Sequence, residues 1–371
     1  MADWTASMQQ TFEYYIVDPI TWKDKKLLTT VKSCTISRDS GVETLGSASI
    51  GITESVGECY LRVYLITIQN GVKEKHPLGT FLVQTPSSSF NGKIRDVTMD
   101  AYTPLLELKE KQPDIGYFIP KKENVMDYAY RLTRNNVRAP VIKTESETVT
   151  EFDFVADIND TWLSYLSDFI SNQLYKKDDK SRINKYKYDV DAMGHISFVP
   201  DRDIAAMQPI WTFDDSNSSI LYPELTMSHD LYGIPNIVEV VYSNGNECAY
   251  ATAINDNENS PVSTISRGRK IIYRVTNPSL VGDPTIKDPE TQTYPLLQEY
   301  AEQLLDQMSS PEYTLTYTHG YCPVRVGDCI RLNYSKAGLT DIKAKVISQS
   351  IKCEPGCPVT EKAVFTTNLW R

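Results

Sequence analysis

The stretch Tyr313–Leu332, YTLTYTHGYCPVRVGDCIRL, constrains the fold of this chain more than any other. Its first residues alternate threonine with Tyr or Leu, which is the period-two pattern of a half-buried strand. The run Pro323-Val-Arg-Val-Gly-Asp then predicts a turn into a second strand that begins at Cys329. Just upstream, Tyr294–Met308 has the apolar periodicity of an amphipathic helix. A helix that leads into a strand–turn–strand unit predicts a β-barrel or sandwich with a segment inserted before its last strands.

The charge of the chain argues against one class of partner. The 371 residues carry a net charge of −10, the pI is about 5.1, and no basic run exceeds two residues. We therefore expect no sequence-specific nucleic-acid binding, because a surface that grips phosphates needs clustered Lys and Arg to displace counterions. An acidic surface is suited instead to letting DNA pass without adhering to it.

The N-terminal residues, the apolar stretches and the cysteines indicate the cellular compartment in which the chain is made. The first residues lack a charged segment followed by an apolar core, so we expect no signal peptide. No apolar stretch approaches the roughly 18 residues of a membrane span, so we expect none. Seven scattered cysteines fit a reducing compartment better than a disulfide framework. We expect synthesis in a cytoplasm.

Periodicity and turn signals divide the chain into four predicted parts. About six short β-branched and aromatic runs precede residue 110, with Asn70-Gly71 and Asn91-Gly92 as hairpin turns. The next part holds an amphipathic helix, predicted over Asp160–Tyr175 with Asn159 or Asp160 as its N-cap. The predicted domains are a first β-rich block over 1–112, an α/β domain over 113–205, a second β-rich block over 206–242 and 311–371, and an inserted strand–loop–helix domain over 243–310.

The cysteines near the end form the one candidate metal site. They are Cys322, Cys329, Cys353 and Cys357. Four thiolates could hold zinc or an iron–sulfur cluster, although the spacings differ from the tight pairs of zinc ribbons. Buried free thiols in strands are the alternative interpretation. Both interpretations stay open from the sequence, and the prediction otherwise assigns no cofactor.

No other motif predicts catalysis. The histidines, none in an H-E-x-x-H or H-x-x-H pattern, are His76, His195, His229 and His319. The spacing of His319 and Cys322 is compatible with a nucleophilic pair, but nothing in the sequence supplies the orienting third group. Neighbouring acids such as Asp178-Asp179, Asp214-Asp215 and the Asp201/Asp203 pair are typical of solvated turns. Phosphate-loop motifs are missing from the sequence. We therefore predict no catalytic residues, and an assembly or binding role.

Three stretches together resemble a known family. LGTFLVQTPSSSFNGKIRDVTMDAYTPLLEL (78–108) is similar to the end of the first domain of baseplate or tail-tip hub proteins of tailed phages and phage-like contractile injection particles. DTWLSYLSDFI followed by GHISFVPDRD is similar to the second hub domain. NIVEVVYSNGN, a variable insert, an A-x-x-L-L helix and PVRVGDCIRLNY resemble the second barrel with its final strands. The order of the three stretches carries the resemblance.

The resemblance implies a fold and an assembly. The fold would be α+β and mainly β, with two tube-like antiparallel β-barrels, an α/β domain between them and an insertion in the second barrel. A homotrimer would place six barrels in a ring and adapt the sixfold tail tube to a threefold central spike or tip. Its partners would be the tail tube protein, the spike or tip protein and other baseplate proteins, in a virion tail assembled in the host cytoplasm. The family has no catalytic residues to carry over. Some of its members carry a cell-wall-degrading domain, which we expect this chain to lack because it stops at Trp370-Arg371.

Two other functions stay open. The chain could be a peptidoglycan-degrading tail enzyme, or a glycan- or receptor-binding tail module that uses its many tyrosines. Under the favoured interpretation, Gly327-Asp328 forms a tight turn in which Gly supplies a positive φ and Asp caps local N–H groups. His319 and Cys322 would then be loop residues at the rim of the second barrel.

Overall fold

The computed structural model describes residues 2–54, 56–90, 95–150, 152–171, 186–202, 204–216, 218–245, 247–278, 283–367 and 369–370. Strands dominate and helices are few, which confirms the mainly β, α+β fold class. No helix within these residues is long and apolar enough to cross a membrane. The chain forms two compact units, Met1–Leu225 with Thr316–Ala363, and Thr226–Leu315 with Val364–Arg371.

The first β-rich block contains seven described strands, one more than the six or so runs that the sequence predicts, since a short exposed strand at Asp24–Leu27 was not among them. They are β1 (Gln9–Val17), β2 (Asp24–Leu27), β3 (Val31–Asp39), β4 (Gly46–Ile52), β5 (Tyr60–Gln69), β6 (Val72–Phe90) and β7 (Arg95–Tyr102). Asn70 and Gly71 have φ of 51° and 79° and form the predicted hairpin between β5 and β6. The predicted Asn91-Gly92 turn lies outside the described residues. Strand β5 is buried on both faces from Tyr60 to Thr67, so other elements must cover its second face.

The α/β part that follows supplies this cover. Its elements are α1 (Leu106–Lys109), β8 (Phe118–Ile119), α2 (Val125–Asn136), β9 (Phe154–Val155), α3 (Trp162–Ser171), β10 (Tyr186–Val190), β11 (Ile196–Pro200) and a 3-10 turn (Ile204–Ala206). Leu163, Leu166 and Phe169 of α3 join a core that also contains Tyr60 of β5. The two faces of β5 thus contribute to two cores, because Leu61, Val63 and Leu65 pack in the core of the first block, and this explains the double burial of β5.

The predicted cap of α3 is wrong by one residue. Thr161, and not Asn159 or Asp160, precedes the helix, and its Oγ1 accepts a hydrogen bond from the backbone N–H of Ser164 at 3.1 Å. The hydroxyl of Ser164 in turn accepts one from the N–H of Thr161 at 3.0 Å. This reciprocal arrangement is equivalent to a capping box. Asp160 instead accepts a hydrogen bond from the hydroxyl of Ser164. The last predicted residues of the helix, 172–175, lie outside the described residues.

The middle of the chain begins with β12 (Trp211–Asp214) and β13 (Leu221–His229). The second unit then contains β14 (Ile237–Ser243), β15 (Cys248–Ile254), α4 (Thr264–Arg267), β16 (Ile272–Thr276) and α5 (Pro295–Met308). Strand β14 lies between β15 and β16 in a three-stranded sheet. Val238 and Val240 of β14 pack with Leu297, Ala301 and Leu305 of α5, which is the amphipathic helix that the sequence predicts.

The last strands complete the second β-rich block. They are β17 (Glu312–Gly320), β18 (Cys329–Tyr334), β19 (Leu339–Lys352) and β20 (Pro358–Thr366), with a 3-10 turn at Ser335–Ala337. A thirteen-stranded sheet follows the order β13-β17-β20-β19-β3-β4-β7-β6-β5-β1-β2, and β18 pairs with β19 and with β12. Strand β19 therefore belongs to the second block and also pairs with β3 of the first, from Ser348↔Asp39 to Lys352↔Thr35.

Two details differ from the sequence-based prediction. Strands β17 and β18 follow each other in sequence but do not pair, because β17 lies between β13 and β20 while β18 lies between β12 and β19. The parallel pairing of β12 with β18 also departs from a purely antiparallel block. No sheet closes on itself among the described strands, so the closed barrels stay a prediction.

The division into four predicted domains also stays a prediction, although one strand can be placed. Residues 237–242, assigned above to the second β-rich block, form most of β14 in the second unit. The reason is that β14 buries its apolar face against α5, a helix more than fifty residues further along the chain.

Candidate functional site

Two of the four histidines, which the sequence does not predict to be catalytic, have structural partners. The Nε2 atom of His76 lies 3.0 Å from Oγ1 of Thr67. The Nδ1 atom of His195 lies 2.9 Å from Oδ2 of Asp191, and this carboxylate also accepts a hydrogen bond from the backbone N–H of His195. Both contacts fix strand ends or turns. The side chain of His229 lies outside the described residues.

His319 and Cys322 lie close together, and Cys322 is in the segment between β17 and β18 as predicted, but His319 is not in a loop. The Sγ atom of Cys322 is 3.8 Å from Nδ1 of His319, and that nitrogen lies 2.6 Å from the carbonyl oxygen of Gly320. His319 is in strand β17 and is fully buried against Phe213. The rim position predicted for His319 was therefore wrong, because its imidazole ring packs into an aromatic core. Burial raises the pKa of the Cys322 thiol well above its ordinary value, which is the opposite of what a nucleophile needs.

The acidic pairs of the sequence are held by structural contacts where they are described. Oδ2 of Asp215 accepts a hydrogen bond from the hydroxyl of Ser335 at 2.6 Å, which lowers the pKa of the carboxyl. Oδ1 of Asp201 lies 3.0 Å from Nζ of Lys345. Burial raises the pKa of Asp201, but the ion pairs with Lys345 and Lys187 outweigh it and the net shift is downward. Asp178, Asp179 and Asp203 lie outside the described residues.

The four cysteines proposed as metal ligands are free thiols. Among the residues that the structure describes, no group of three or more His, Cys, Asp or Glu side chains is placed to hold a metal ion. Cys329 directs its thiol to the carbonyl of Ile330 at 3.7 Å. Cys353 instead contacts Cys34, a residue that the sequence did not single out. Fully buried Cys357 follows Cys353 across the Pro-Gly turn.

A cluster of polar side chains in the core, here called the junction network, lies where the two β-rich blocks share their sheet. It consists of Arg38, Tyr317, His319, Gln349 and Glu361, contributed by β3, β17, β19 and β20. The carboxylate of Glu361 accepts hydrogen bonds from the hydroxyl of Tyr317 at 2.6 Å and from the amide of Gln349. Gln349 in turn accepts one from the guanidinium of Arg38 at 3.0 Å. Polar groups thus connect strands of both blocks through the core.

The charges of the junction network compensate one another. Nε2 of His319 lies 3.3 Å from Oε1 of Glu361, and both side chains are fully buried. Nδ1 of His319 also faces a carbonyl oxygen, so each ring nitrogen lies beside an oxygen that can accept a hydrogen bond. Burial raises the pKa of Glu361, but the interactions with His319, Tyr317 and Gln349 outweigh it and hold the pKa below its ordinary value. Burial likewise lowers the pKa of Arg38 to about 10.

A second group of contacts, the hairpin clamp, fixes the β10–β11 turn to the first β-rich block. Its donors are Trp22, Arg62 and Thr80, and its acceptors are the carbonyl oxygens of Ala192 and Met193. Met193 accepts hydrogen bonds from Nε1 of Trp22 at 2.8 Å and from Nη2 of Arg62 at 3.0 Å. Thr80 donates to Ala192 at 3.2 Å. The α/β domain is therefore attached through backbone carbonyls as well as through the apolar core.

Arg62 is the residue of the clamp that sequence reasoning missed. Its side chain is 1% exposed, and its Nη1 atom lies 2.9 Å from Oδ1 of Asp24. The sequence did contain a signal for this buried residue, because a lone arginine interrupts the apolar run CYLRVYLITI. Since Lys and Arg are almost never fully buried without partners, such an arginine predicts a specific buried contact.

The Gly327 turn forms as predicted. Gly327 has φ of 95°, and Oδ2 of Asp328 accepts a hydrogen bond from the N–H of Arg325 at 2.8 Å. The guanidinium of Arg325 reaches from this turn to the carbonyl of Val190 in β10 at 2.6 Å, and lies 3.7 Å from the carboxylate of Asp189. The turn therefore connects the second β-rich block to the α/β domain.

A cleft of about 710 Å³ lies within the first unit, where its three parts meet. Arg38 and Thr80 of the first block, Asp168 and Asp189 of the α/β domain, and Arg325 and Lys345 of the second block are among its lining residues. Both signs of charge face it, and Arg325 is paired with Asp189 and Lys345 with Asp201. This arrangement stabilises the junction of three parts and offers no activated nucleophile at the positions that the sequence suggested.

Comparison with solved structures shows which known proteins share this fold. No protein-family model matches the chain, and no curated protein matches it in sequence. The fold is that of phage and prophage tail proteins, as the resemblance predicted. The crystal structure of the tail protein from Neisseria meningitidis MC58 superposes with a TM-score of 0.59 over 98% of each chain at 13% identity. The 43 kDa tail protein of prophage MuSo2 from Shewanella oneidensis does so with a TM-score of 0.59 over 96% of each chain at 9% identity.

Proposed function

We propose that the protein is a structural hub of a phage tail, or of a phage-derived contractile particle. The observation that carries the proposal is the match to tail proteins over nearly the whole length of both chains. A shared domain would match over part of the chain only, whereas here all the parts recur together.

In the proposed assembly, three copies form a ring. Each copy contributes two β-rich blocks, so six blocks would face the sixfold tail tube, while the trimer matches a threefold spike or tip. The shared sheet supports this role, because β19 pairs with β3 and fixes one block to the other. A hub that must hold six blocks in register needs such a rigid connection between the two blocks of each copy.

The proposed partners are the tail tube protein on one face of the ring, the central spike or tip protein on the other, and further baseplate proteins around it. The location would be the tail or baseplate of the virion, after assembly in the host cytoplasm. The net charge of −10 fits a lumen through which DNA slides without adhering. We propose no specific nucleic-acid partner.

We also propose that the hub is not an enzyme. His319 and Cys322, the one nucleophilic pair that the sequence analysis considered, lie in a core where burial raises the pKa of the thiol. A peptidoglycan-degrading enzyme or a glycan-binding module would need reactive or aromatic groups in an exposed cleft.

The test is assembly of the purified chain with its neighbours. The mass in solution and negative-stain electron microscopy are measured alone and after mixing with the tube and spike proteins encoded beside it. We expect a trimeric ring, formed alone or on mixing, that binds the tube protein. A monomer that binds neither partner would overturn the proposal that the protein is a hub. Zymography on cell walls and a glycan array separate the alternatives, since a clearing zone or glycan binding would favour the enzyme or the receptor-binding module.

A further inference from the structure

Two cysteines face each other across the strand pair that joins the β-rich blocks. The pairing of β19 with β3 reaches Lys352↔Thr35, and the next position sets Cys353 beside Cys34. The backbone N–H of Cys353 donates to the carbonyl of Cys34 at 2.9 Å. The two side chains also pack in the same apolar core. Directly opposed residues of this kind have Cα atoms about 5.5 Å apart, within the range of about 4.4–6.8 Å that a disulfide spans.

The exposure of the two thiols is unequal. Cys34 is 4% exposed, whereas Cys353 is half-buried and can be reached from solvent. An oxidant would therefore meet Cys353 first, and Cys34 would be the thiol that resolves the first product. The competing thiol is Cys357, which also lies near Cys353 but is fully buried. Direct cross-strand opposition and the backbone hydrogen bond favour Cys34 over Cys357.

We propose that Cys34 and Cys353 form a disulfide bond when the protein passes from the reducing cytoplasm to an oxidising medium. That passage rests on the proposed function, because a tail protein leaves the cell in released particles. The pairing chemistry itself depends only on the geometry of the chain. The bond would connect β3 to the end of β19 and lock the junction of the two blocks covalently.

The reaction balances with glutathione disulfide as the oxidant. The thiolate of Cys353 attacks one sulfur of glutathione disulfide, forms a mixed disulfide and releases one glutathione thiolate. The thiolate of Cys34 then attacks the sulfur of Cys353, and the bond to the second glutathione breaks. The two cysteines lose two protons and two electrons, and glutathione disulfide is reduced to two glutathione molecules.

The experiment compares the full chain in excess glutathione disulfide and in excess dithiothreitol. Exposed Cys248 is replaced by Ser in every sample to prevent links between molecules. We expect the oxidised protein to lose two thiols and two hydrogen atoms, and peptide mapping to join Cys34 to Cys353. Because the bond closes a loop containing most of the chain, the melting temperature should rise by about 5 °C or more.

Two further variants separate the competing pairings. Cys357→Ala should still form the bond, while Cys34→Ala should stop at a glutathione adduct on Cys353. Retention of all thiols, a Cys353–Cys357 link or a persistent adduct in the parent protein would each overturn the proposal. If Cys34→Ala does not fold, the peptide map of the parent decides alone. The oligomeric mass, measured in parallel, tests the hub independently of the bond.

Discussion

The carboxylate of Glu361 on β20 accepts a hydrogen bond from the hydroxyl of Tyr317 on β17 at 2.6 Å, in a core where both side chains are buried. Glu361 is also paired with His319. We expect Glu361→Gln to lower the free energy of unfolding at neutral pH by about 3 kcal/mol, because it leaves one of the two buried donors, Tyr317 or Gln349, without an acceptor. Urea unfolding measures the loss, with exposed Glu354→Gln as the control. Equal stability of the two variants would contradict this prediction.

The same carboxylate predicts a pH dependence. Since the pKa of Glu361 is lowered in the folded state, its stabilisation is present above its unfolded value, near 4.5, and is lost as the pH falls through the lower folded value. The stability difference between the parent and Glu361→Gln should therefore be constant at neutral pH and shrink below about pH 4.5. Melting temperatures across pH 3–7 check this. A difference that grows on acidification would refute the assigned charge.

Gly194, in the turn between β10 and β11, has φ of 80°. A Cβ atom there would lie 2.8 Å from Cβ of Thr80 and 3.0 Å from Cζ2 of Trp22. Gly194→Ala should therefore loosen the hairpin clamp and cost about 2–3 kcal/mol, strain and steric clash together. Gly116→Ala is a matched control, because its φ is 79° and no atom lies within 4 Å of the added Cβ. Hydrogen exchange of residues 186–200 should quicken in the first variant only.

Arg62→Met tests the buried donor of the same clamp. The substitution keeps an unbranched side chain but removes the guanidinium, and with it the hydrogen bonds that Arg62 donates to Asp24 and to the carbonyl of Met193. We expect a loss of about 3 kcal/mol, as for other broken buried ion pairs. Lys25→Met removes an exposed pair with Asp18 and should cost less than about 1 kcal/mol. Thermal unfolding of both variants measures the two losses. Equal melting temperatures of the two variants would contradict the prediction.

Gly327→Val tests the turn that the sequence predicted. A β-branched residue at φ of 95° is strained by about 1–3 kcal/mol, although no atom lies within 4 Å of its Cβ. We expect slower folding and impaired ring assembly. Gly57→Val, at a position with equal space and no positive φ, is the control. Size-exclusion chromatography compares the yields of assembled protein, and normal assembly of Gly327→Val would refute our interpretation of the turn.

Local features of the fold could be predicted from the sequence, and long-range pairings could not. Period-two patterns, Asn70-Gly71 and Gly327-Asp328 marked strands and turns because each depends on neighbouring residues. The burial of His319 depends on Glu361, a partner on another strand, and no local pattern encodes that pairing. For the same reason the sequence placed His319 at a rim.

The candidate site shows the same limit. The junction network combines residues of four strands, and the hairpin clamp uses backbone carbonyls that have no sequence signature. Arg62 alone could have been found, from its place in an apolar run. The order of the parts carried the resemblance to tail proteins, and the fold confirms it.

The pairing of β19 with β3 also determines when the protein can finish folding. During synthesis, strand β3 emerges early, but its partner residues 348–352 follow only after most of the chain. Until then one edge of β3 is open, and open edges invite pairing with other chains. Sequence separation of this size slows folding because a long loop must close first. We therefore expect the nascent protein to be most prone to aggregation before β19 reaches the sheet.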